Sequence, residues 1–295
     1  MLEIQLILCP IDFSGFSASA YHHALSLAEH YRARLVALHV VELRRDPSLG
    51  FAASAGLYEE FCQAALESAR EQLRKFVKQH AHHEIQPELV TQLGAAPDAI
   101  LSFAQARKTD LVVMGTHGRR GYDRLILGSV TDRVMRKAPC PVIAVSKPPN
   151  GSSAESQDRG HTHHLSRILF CADFSEAARR TLDYAISVRA EYDAELTLLH
   201  VLEHVPSPAR TEEAIAAAKE QLGSLIPSEE RQTAKIKTAV RLGKPYRQII
   251  QLALEEQIDL VAMGVRGHGA LDLAVFGSTT YRVIQLGPCP VLVHV

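Results

Sequence analysis

Leu111-Val112-Val113-Met114-Gly115-Thr116-His117-Gly118, followed after nine intervening residues by Gly128-Ser129, returns as Leu260-Val261-Ala262-Met263-Gly264-Val265-Arg266-Gly267 with Gly277-Ser278. The glycine spacing is identical, and the two copies lie 149 residues apart. The apolar runs do not alternate, which marks strands buried on both faces. A loop that cradles phosphate needs small residues where its backbone folds back, because a Cβ would block the approach of phosphate oxygens. It also needs a helix N-terminus, whose free N–H groups attract anions. Both copies offer the same succession: strand, Gly-x-x-Gly, a bridge, then Gly-Ser opening a helix. One set of spaced glycines means little, but two sets in matching context point to a phosphate cradle rather than to ordinary turns.

The repeat extends outward from the glycines. Ile7 to Glu42 aligns with Ile168 to Glu203 at an offset of 161, with 14 of 36 positions identical. Gly94 to Val145 aligns with Gly243 to His294 at an offset of 149, with 19 of 52 identical. The drop of 12 gives the first half a longer middle, expected in Leu43 to Gly56. A period this long means one duplicated domain, since stacked repeats run ~20–50 residues. The 295 residues suit two domains of ~150, each able to bury a core. The expected division is 1–147, a linker at 148–164 and 165–295. The linker opens on Pro148-Pro149-Asn150-Gly151 and has no apolar periodicity. Its His161, His163 and His164 read as solvated residues, because no carboxylate or cysteine stands at metal-ligand spacing beside them.

Composition narrows the function classes. A net charge of -1 gives no electrostatic case for nucleic acid. No apolar run approaches the ~20 residues of a membrane span, and no basic leader precedes the first strand-like segment. The five cysteines include no C-x-x-C, so the reduced cytoplasm is the expected setting. Cys140 and Cys289 each sit in Pro-Cys-Pro before a final apolar strand and read as small buried core residues.

Periodicity predicts strands near 3–9, 34–41, 84–91, 110–115 and 141–146, then near 166–171, 194–202, 234–241, 259–264 and 290–294. The stretches between them, such as Ser17 to Tyr31, carry apolar residues at helical spacing. This alternation predicts a doubly wound, Rossmann-like α/β sheet in each half. Ligands of such sheets bind beyond the carboxyl ends of the strands, at the switch in strand order. Asp12 and Asp173 follow the first strands, Val40 and Val201 end the second, and the glycines follow the fourth, so all share one edge. Asp12 and Asp173 also stand where a helix N-cap would stand. His39 and His200, inside strands, read as structural.

At this point the chain resembles the universal stress protein family in its tandem form, across nearly everything but the linker and the Leu43–Gly56 insert. Gly-x2-Gly-x9-Gly-Ser/Thr marks the family's nucleotide-binding branch, and both halves match it. The resemblance implies five parallel strands in the order 3-2-1-4-5, with ATP or a related adenine nucleotide across the carboxyl edge. Asp12 and Asp173 would contact ribose, and Val40 and Val201 would hold adenine through backbone. Pro10, Met114 and Met263 would flank the nucleotide. Gly115, Gly118, Gly128, Ser129, Val130 and Thr131 would hold phosphates, as would Gly264, Gly267, Gly277, Ser278, Thr279 and Thr280. Between the halves Pro10 becomes Cys171, His117 becomes Arg266 and Val130 becomes Thr279, and no glycine is lost. The resemblance also implies an edge-to-edge internal pseudo-dimer, with Val142 to Val145 and Val291 to His294 side by side and antiparallel, and a homodimer of such chains as the next level. An open apolar edge strand invites this pairing, and a 17-residue linker can span it.

A cradle alone does not make an enzyme. Phosphoryl transfer needs a cation clamp, a metal carboxylate and a positioned base or water. The chain has no G-x4-G-K-[ST] string and no G-x-S-x-G elbow. Asp123 and Asp272 are the matched carboxylates near the glycines; they read as solvated, with Mg beside the phosphates as the alternative. The expected function is a nucleotide-binding sensor in the stress response, with no residue assigned as catalytic or as a metal ligand. The competing classes are a slow metal-dependent ATPase and a protein-interaction module whose glycine loops are relics.

Overall fold

The structure is a computed structural model and describes residues 3–43, 55–81, 85–118, 127–146, 165–203, 210–228, 230, 235–265 and 277–294. The first half runs β1 (Leu6–Pro10), α1 (Gly15–Tyr31), β2 (Arg34–Val41), α2 (Ala55–Gln79), β3 (Glu88–Leu93), α3 (Ala96–Ala106), β4 (Leu111–Gly115), α4 (Ser129–Lys137) and β5 (Val142–Val145). The second repeats it as β6 (Arg167–Cys171), α5 (Glu176–Tyr192), β7 (Glu195–Leu202), α6 (Thr211–Leu225), β8 (Ile236–Leu242), α7 (Pro245–Glu255), β9 (Leu260–Gly264), α8 (Ser278–Leu286) and β10 (Val291–His294).

All ten strands form one sheet in the order β3-β2-β1-β4-β5-β10-β9-β6-β7-β8. Each half therefore has the expected order 3-2-1-4-5, and every pairing within a half is parallel. The central pairing is antiparallel and joins the halves, with Ile143 opposite Leu292 and Ala144 opposite Val291. One apolar core packs α1, α2, α5 and α6 on one face, and another packs α3, α4, α7 and α8 on the other. Each contains residues from both halves, so the seam is covered on both faces. On the first face the rings of His30 and Tyr192 stack at 3.8 Å across the seam, and His30 Nε2 lies 3.3 Å from Glu191.

The duplication persists in the unusual backbone. The described non-glycine residues with positive φ are Phe13, Arg32, Lys108, Phe174, Asp193 and Gln257, which are three pairs of equivalent positions. Gly94 and Gly243 form a fourth pair, at φ 145° and 123°. Matched carboxylates brace the strand entrances as well. Asp110 Oδ2 accepts the Gln5 and Leu6 amides, each at 2.9 Å. Asp259 Oδ2 accepts those of Ser166 and Arg167 at 2.8 and 2.9 Å.

Two expectations are displaced. The first strand begins at Leu6 rather than residue 3, because its pairing starts at Leu6 opposite Arg34, the first residue of β2. The third strand lies at Glu88–Leu93, later than 84–91, where its residues register with Val36 to Val41. The first half's extra length goes chiefly into helix, since α2 has 25 residues and α6 has 15. Residues 44–54, most of the expected insert, lie outside the described residues.

Candidate functional site

The site is built where β1 and β4 lie side by side, with α1 on one face and α4 on the other. Beyond β1 the chain turns sharply through Phe13, whose φ is 64°. Asp12 holds this turn: its Oδ1 accepts the Ser14 amide at 3.0 Å and the Ser14 hydroxyl at 2.6 Å. Ser14 in turn caps α1 by accepting the Ser17 amide at 3.2 Å. The second half repeats the device, with Asp173 bracing Ser175 and Ser175 capping α5. The caps are thus the serines, not the aspartates, which corrects the capping expectation. His39 Nδ1 lies 2.7 Å from the Ile11 carbonyl and its ring packs on Phe13. His200 does the same with Ala172 and Phe174. A carbonyl only accepts, so Nδ1 carries the proton in both rings, and both hold the turn in shape.

The glycines divide by purpose. A Cβ on Gly115 would lie 2.8 Å from the backbone of Phe16, so this glycine lets α1 pack against β4. A Cβ on Gly118 would lie 2.7 Å from Asp12 Oδ2, so Gly118 and the Asp12 carboxylate face each other across the crevice. Gly128 is the N-cap of α4, and its amide bonds the Thr116 carbonyl at 2.9 Å. Thr131 Oγ1 donates to the Gly115 carbonyl at 2.8 Å and clasps the helix start to the strand end. Gly277 and Thr280 repeat both contacts, to Val265 at 3.1 Å and to Gly264 at 3.0 Å.

The helix starts at this edge differ in one respect. Serine side chains close the ends of α1 and α5, whereas no side chain caps α4 or α8. In α4 the first intrahelical donor is Asp132, so the amides of Ser129, Val130 and Thr131 precede the ladder. In α8 it is Tyr281, which leaves Ser278, Thr279 and Thr280 in the same place. Three amides at an uncapped helix start, with the positive end of the helix dipole, suit phosphate oxygens.

Val40 and Val201 complete the edge. β2 outruns β1, whose last partner on it is Leu38. The Leu38 carbonyl accepts the Ile11 amide at 2.8 Å, and the Val41 carbonyl accepts Gly94 on the opposite side at 3.1 Å. Backbone groups alternate sides along a strand, so the amide and carbonyl of Val40 point past the end of β1 into the crevice. Leu199, Val201 and Leu202 repeat this pattern with Ala172 and Gly243. Backbone here presents one donor and one acceptor, a fit for the edge of a planar heterocycle.

Pro10 and Cys171 end β1 and β6, while the side chains of Met114 and Met263 are buried in the core. His117 is buried, its ring on Phe16 and its Nδ1 2.9 Å from Thr116 Oγ1, so it is turned inward. Burial pushes the Cys140 and Cys289 thiols up to about 12 and leaves both neutral, as core residues. Gly267, Asp123, Asp272, Arg119, Arg120, Arg266, His268, Gly269 and the linker histidines lie outside the described residues. Among the described residues no three His, Cys, Asp or Glu side chains gather to hold a metal ion.

Fold and site together define a tandem pair of doubly wound α/β halves, each with a helix start at its carboxyl edge that no side chain caps. The Universal stress protein family matches residues 3–146 and again 164–294, and the chain belongs to that family. A universal stress protein of Methanocaldococcus jannaschii is 35% identical over 142 residues, covering 48% of this chain and 82% of its own. One from Synechocystis is 23% identical over 304 residues, covering 98% of both chains. The crystal structure of a universal stress protein from Archaeoglobus fulgidus superposes with a TM-score of 0.69 at 21% identity, covering 99% of this chain and 98% of that one.

Proposed function

We propose that each half, as a domain spanning 1–147 or 165–295, holds one adenine nucleotide across its carboxyl edge. The observation that carries this reading is the uncapped, glycine-started helix facing an aspartate across a glycine, with the second strand overrunning the first. In the first half the amides of Ser129, Val130 and Thr131 receive the phosphates. The Asp12 carboxylate, on the Gly118 side, takes ribose hydroxyls, and the backbone of Val40 takes adenine. In the second half Ser278, Thr279 and Thr280, Asp173 and Val201 take the same parts. ATP brings its phosphates' charge, and Mg would travel with those phosphates; this chain's own groups bind and orient.

The biological role that follows is a nucleotide sensor of the stress response in the cytoplasm. All five cysteines are free, which suits that compartment. Nucleotide can shift conformation or assembly only through different affinity for two states. The described residues include no helix long and apolar enough to cross a membrane. The experiment is mass spectrometry of the small molecules that remain with gently purified protein. Adenine nucleotide approaching two per chain is the expected result. A chain that carries none and takes up none from excess ATP would leave the glycine loops as structural relics.

A further inference from the structure

Leu127 immediately precedes the N-cap glycine of α4 and is buried. Its backbone N–H donates to the phenolic oxygen of Tyr281 at 3.1 Å. Tyr281 is the fourth residue of α8 and belongs to the other half. The next amide, of Gly128, bonds the Thr116 carbonyl of its own half at 2.9 Å. Two consecutive amides at the exit of the first glycine loop are therefore held from opposite sides. A buried backbone donor needs an acceptor. For Leu127 that acceptor exists only while the second half is docked.

The mirror amide is that of Phe276, which lies outside the described residues. The position equivalent to Tyr281 is Asp132, the fourth residue of α4. Its carboxylate is occupied on its own helix, accepting Arg136 Nε at 3.0 Å and Nη2 at 2.8 Å. The duplication has kept the clasp and the glycine cap in both halves, and among the described residues it is α8 whose side chain reaches the loop across the seam.

We infer that Tyr281 is a positioning residue for the first half's site, so that ligand binding there depends on the docked second half. The inference rests on reading that helix start as a phosphate cradle. The loop exit is fixed at three points: Leu127 by Tyr281, Gly128 by Thr116, and Thr131 by the Gly115 carbonyl. The three amides offered to phosphate lie between these points, and Leu127 itself sits in the core that spans both halves. Deleting the phenolic oxygen strands the Leu127 amide and loosens the presentation of Ser129 to Thr131. Binding linkage is reciprocal, so ligand in the first half strengthens docking of the second by the same factor.

The test is Tyr281→Phe in the full chain, which keeps the ring and removes the acceptor. Amide NMR signals of Leu127 and Ser129 report the first half and those of Ser278 the second, within a single ATP titration. Exchange of the Leu127 amide with solvent, without nucleotide, reads the hydrogen bond alone. The expected result is faster Leu127 exchange and a weaker first-half affinity, each by roughly two- to tenfold, the range of one net hydrogen bond. Second-half affinity stays unchanged. Unaltered Leu127 exchange, or equal weakening of both halves, overturns the inference. The mirror variant Asp132→Asn is expected to leave the second half's affinity in place, and a selective loss there overturns the one-way dependence. If ATP moves neither set of signals in the parent protein, the nucleotide reading fails, and Leu127 exchange alone decides whether Tyr281 holds the loop.

Discussion

α4 and α8 begin alike, each with a glycine N-cap, no side-chain cap, and a threonine clasped to the preceding strand. The charges around them differ. In the first half Asp132 lies in the first turn of α4 and pairs with Arg136, while Arg133 pairs with Asp98 at 2.6 Å. In the second half Tyr281, Arg282 and Arg247 occupy the places of Asp132, Arg133 and Asp98. The first turn of α8 has no acid. Arg282 and Arg247 converge on the Tyr246 ring, at 4.6 and 5.8 Å from its centroid. Duplication has kept the backbone that shapes the crevice and changed the field around it. Among the described residues the charges around the start of α4 are paired with one another, whereas those around α8 gather on a tyrosine ring.

The seam is where breaking the symmetry has the largest effect. Ile143 and Leu292 face each other across β5 and β10 and are both buried. Replacing both with lysine puts two unpartnered ammonium groups there, at an expected cost above about 3 kcal/mol. Small-angle scattering is expected to show an elongated chain, and the Leu127 to Tyr281 contact should go with the seam. A compact particle of parental dimensions would mean that the halves are held by something other than this pairing.

The turn caps provide the opposite comparison, since here the halves are equal. Ser14→Ala and Ser175→Ala each remove a helix N-cap held by an aspartate, worth about 1 kcal/mol. Denaturant titrations are expected to give the same loss for both. A loss confined to one variant would show that the two Asp-Phe-Ser turns are not energetic equivalents.

Much of this was legible in the sequence. The strands, the shared edge and the glycine set follow from periodicity and repetition, because a buried parallel strand and a helix start each have strong local signatures; the strand order comes from the family resemblance. Asp12 and Asp173 stand out after the first strands, but the serine caps two residues later do not, because Asp and Ser both suit an N-cap and only the left-handed Phe13 and Phe174 decide between them. The matched Asp110 and Asp259 stand in the repeat, yet their bonds to residues 5–6 and 166–167 join segments far apart in the chain. Tyr281 was invisible for the same reason and one more: it breaks the repeat, so self-comparison passes over it.

Charge should rank the two cradles. A helix-terminal charge is worth roughly 0.3–1 kcal/mol at low ionic strength, so the charges at the two helix starts by themselves favour ATP in the second half by about two- to fivefold. Raising the salt concentration should narrow the gap. Site-resolved titration at two ionic strengths checks this, and a tighter first half at low salt would contradict it.

The smallest effect concerns Tyr246. Hydrogen bonds from Arg247 and then Arg282, with their charges, hold its phenol below the usual tyrosine range. The folded value is depressed, so this group adds stability as pH rises from that value through the ordinary one near 10, and adds none below. Tyrosinate absorbance should show one early-titrating tyrosine that moves up in Arg247→Ala. Identical titration curves for the two proteins would remove the arginines as the cause.

The central claim is that each half carries its own nucleotide at its glycine-started helix. Equilibrium dialysis with ATP tests it on the parent chain, Gly128→Val, Gly277→Val and the double variant. A Cβ on Gly128 already meets the Thr116 carbonyl at 3.1 Å. Overpacking of this kind costs about 1–3 kcal/mol of stability, and the valine side chain takes the space that the proposed phosphate oxygens need. The account predicts two sites in the parent, one high-affinity site in each single variant and none in the double. Undiminished two-site binding in the double variant would contradict it.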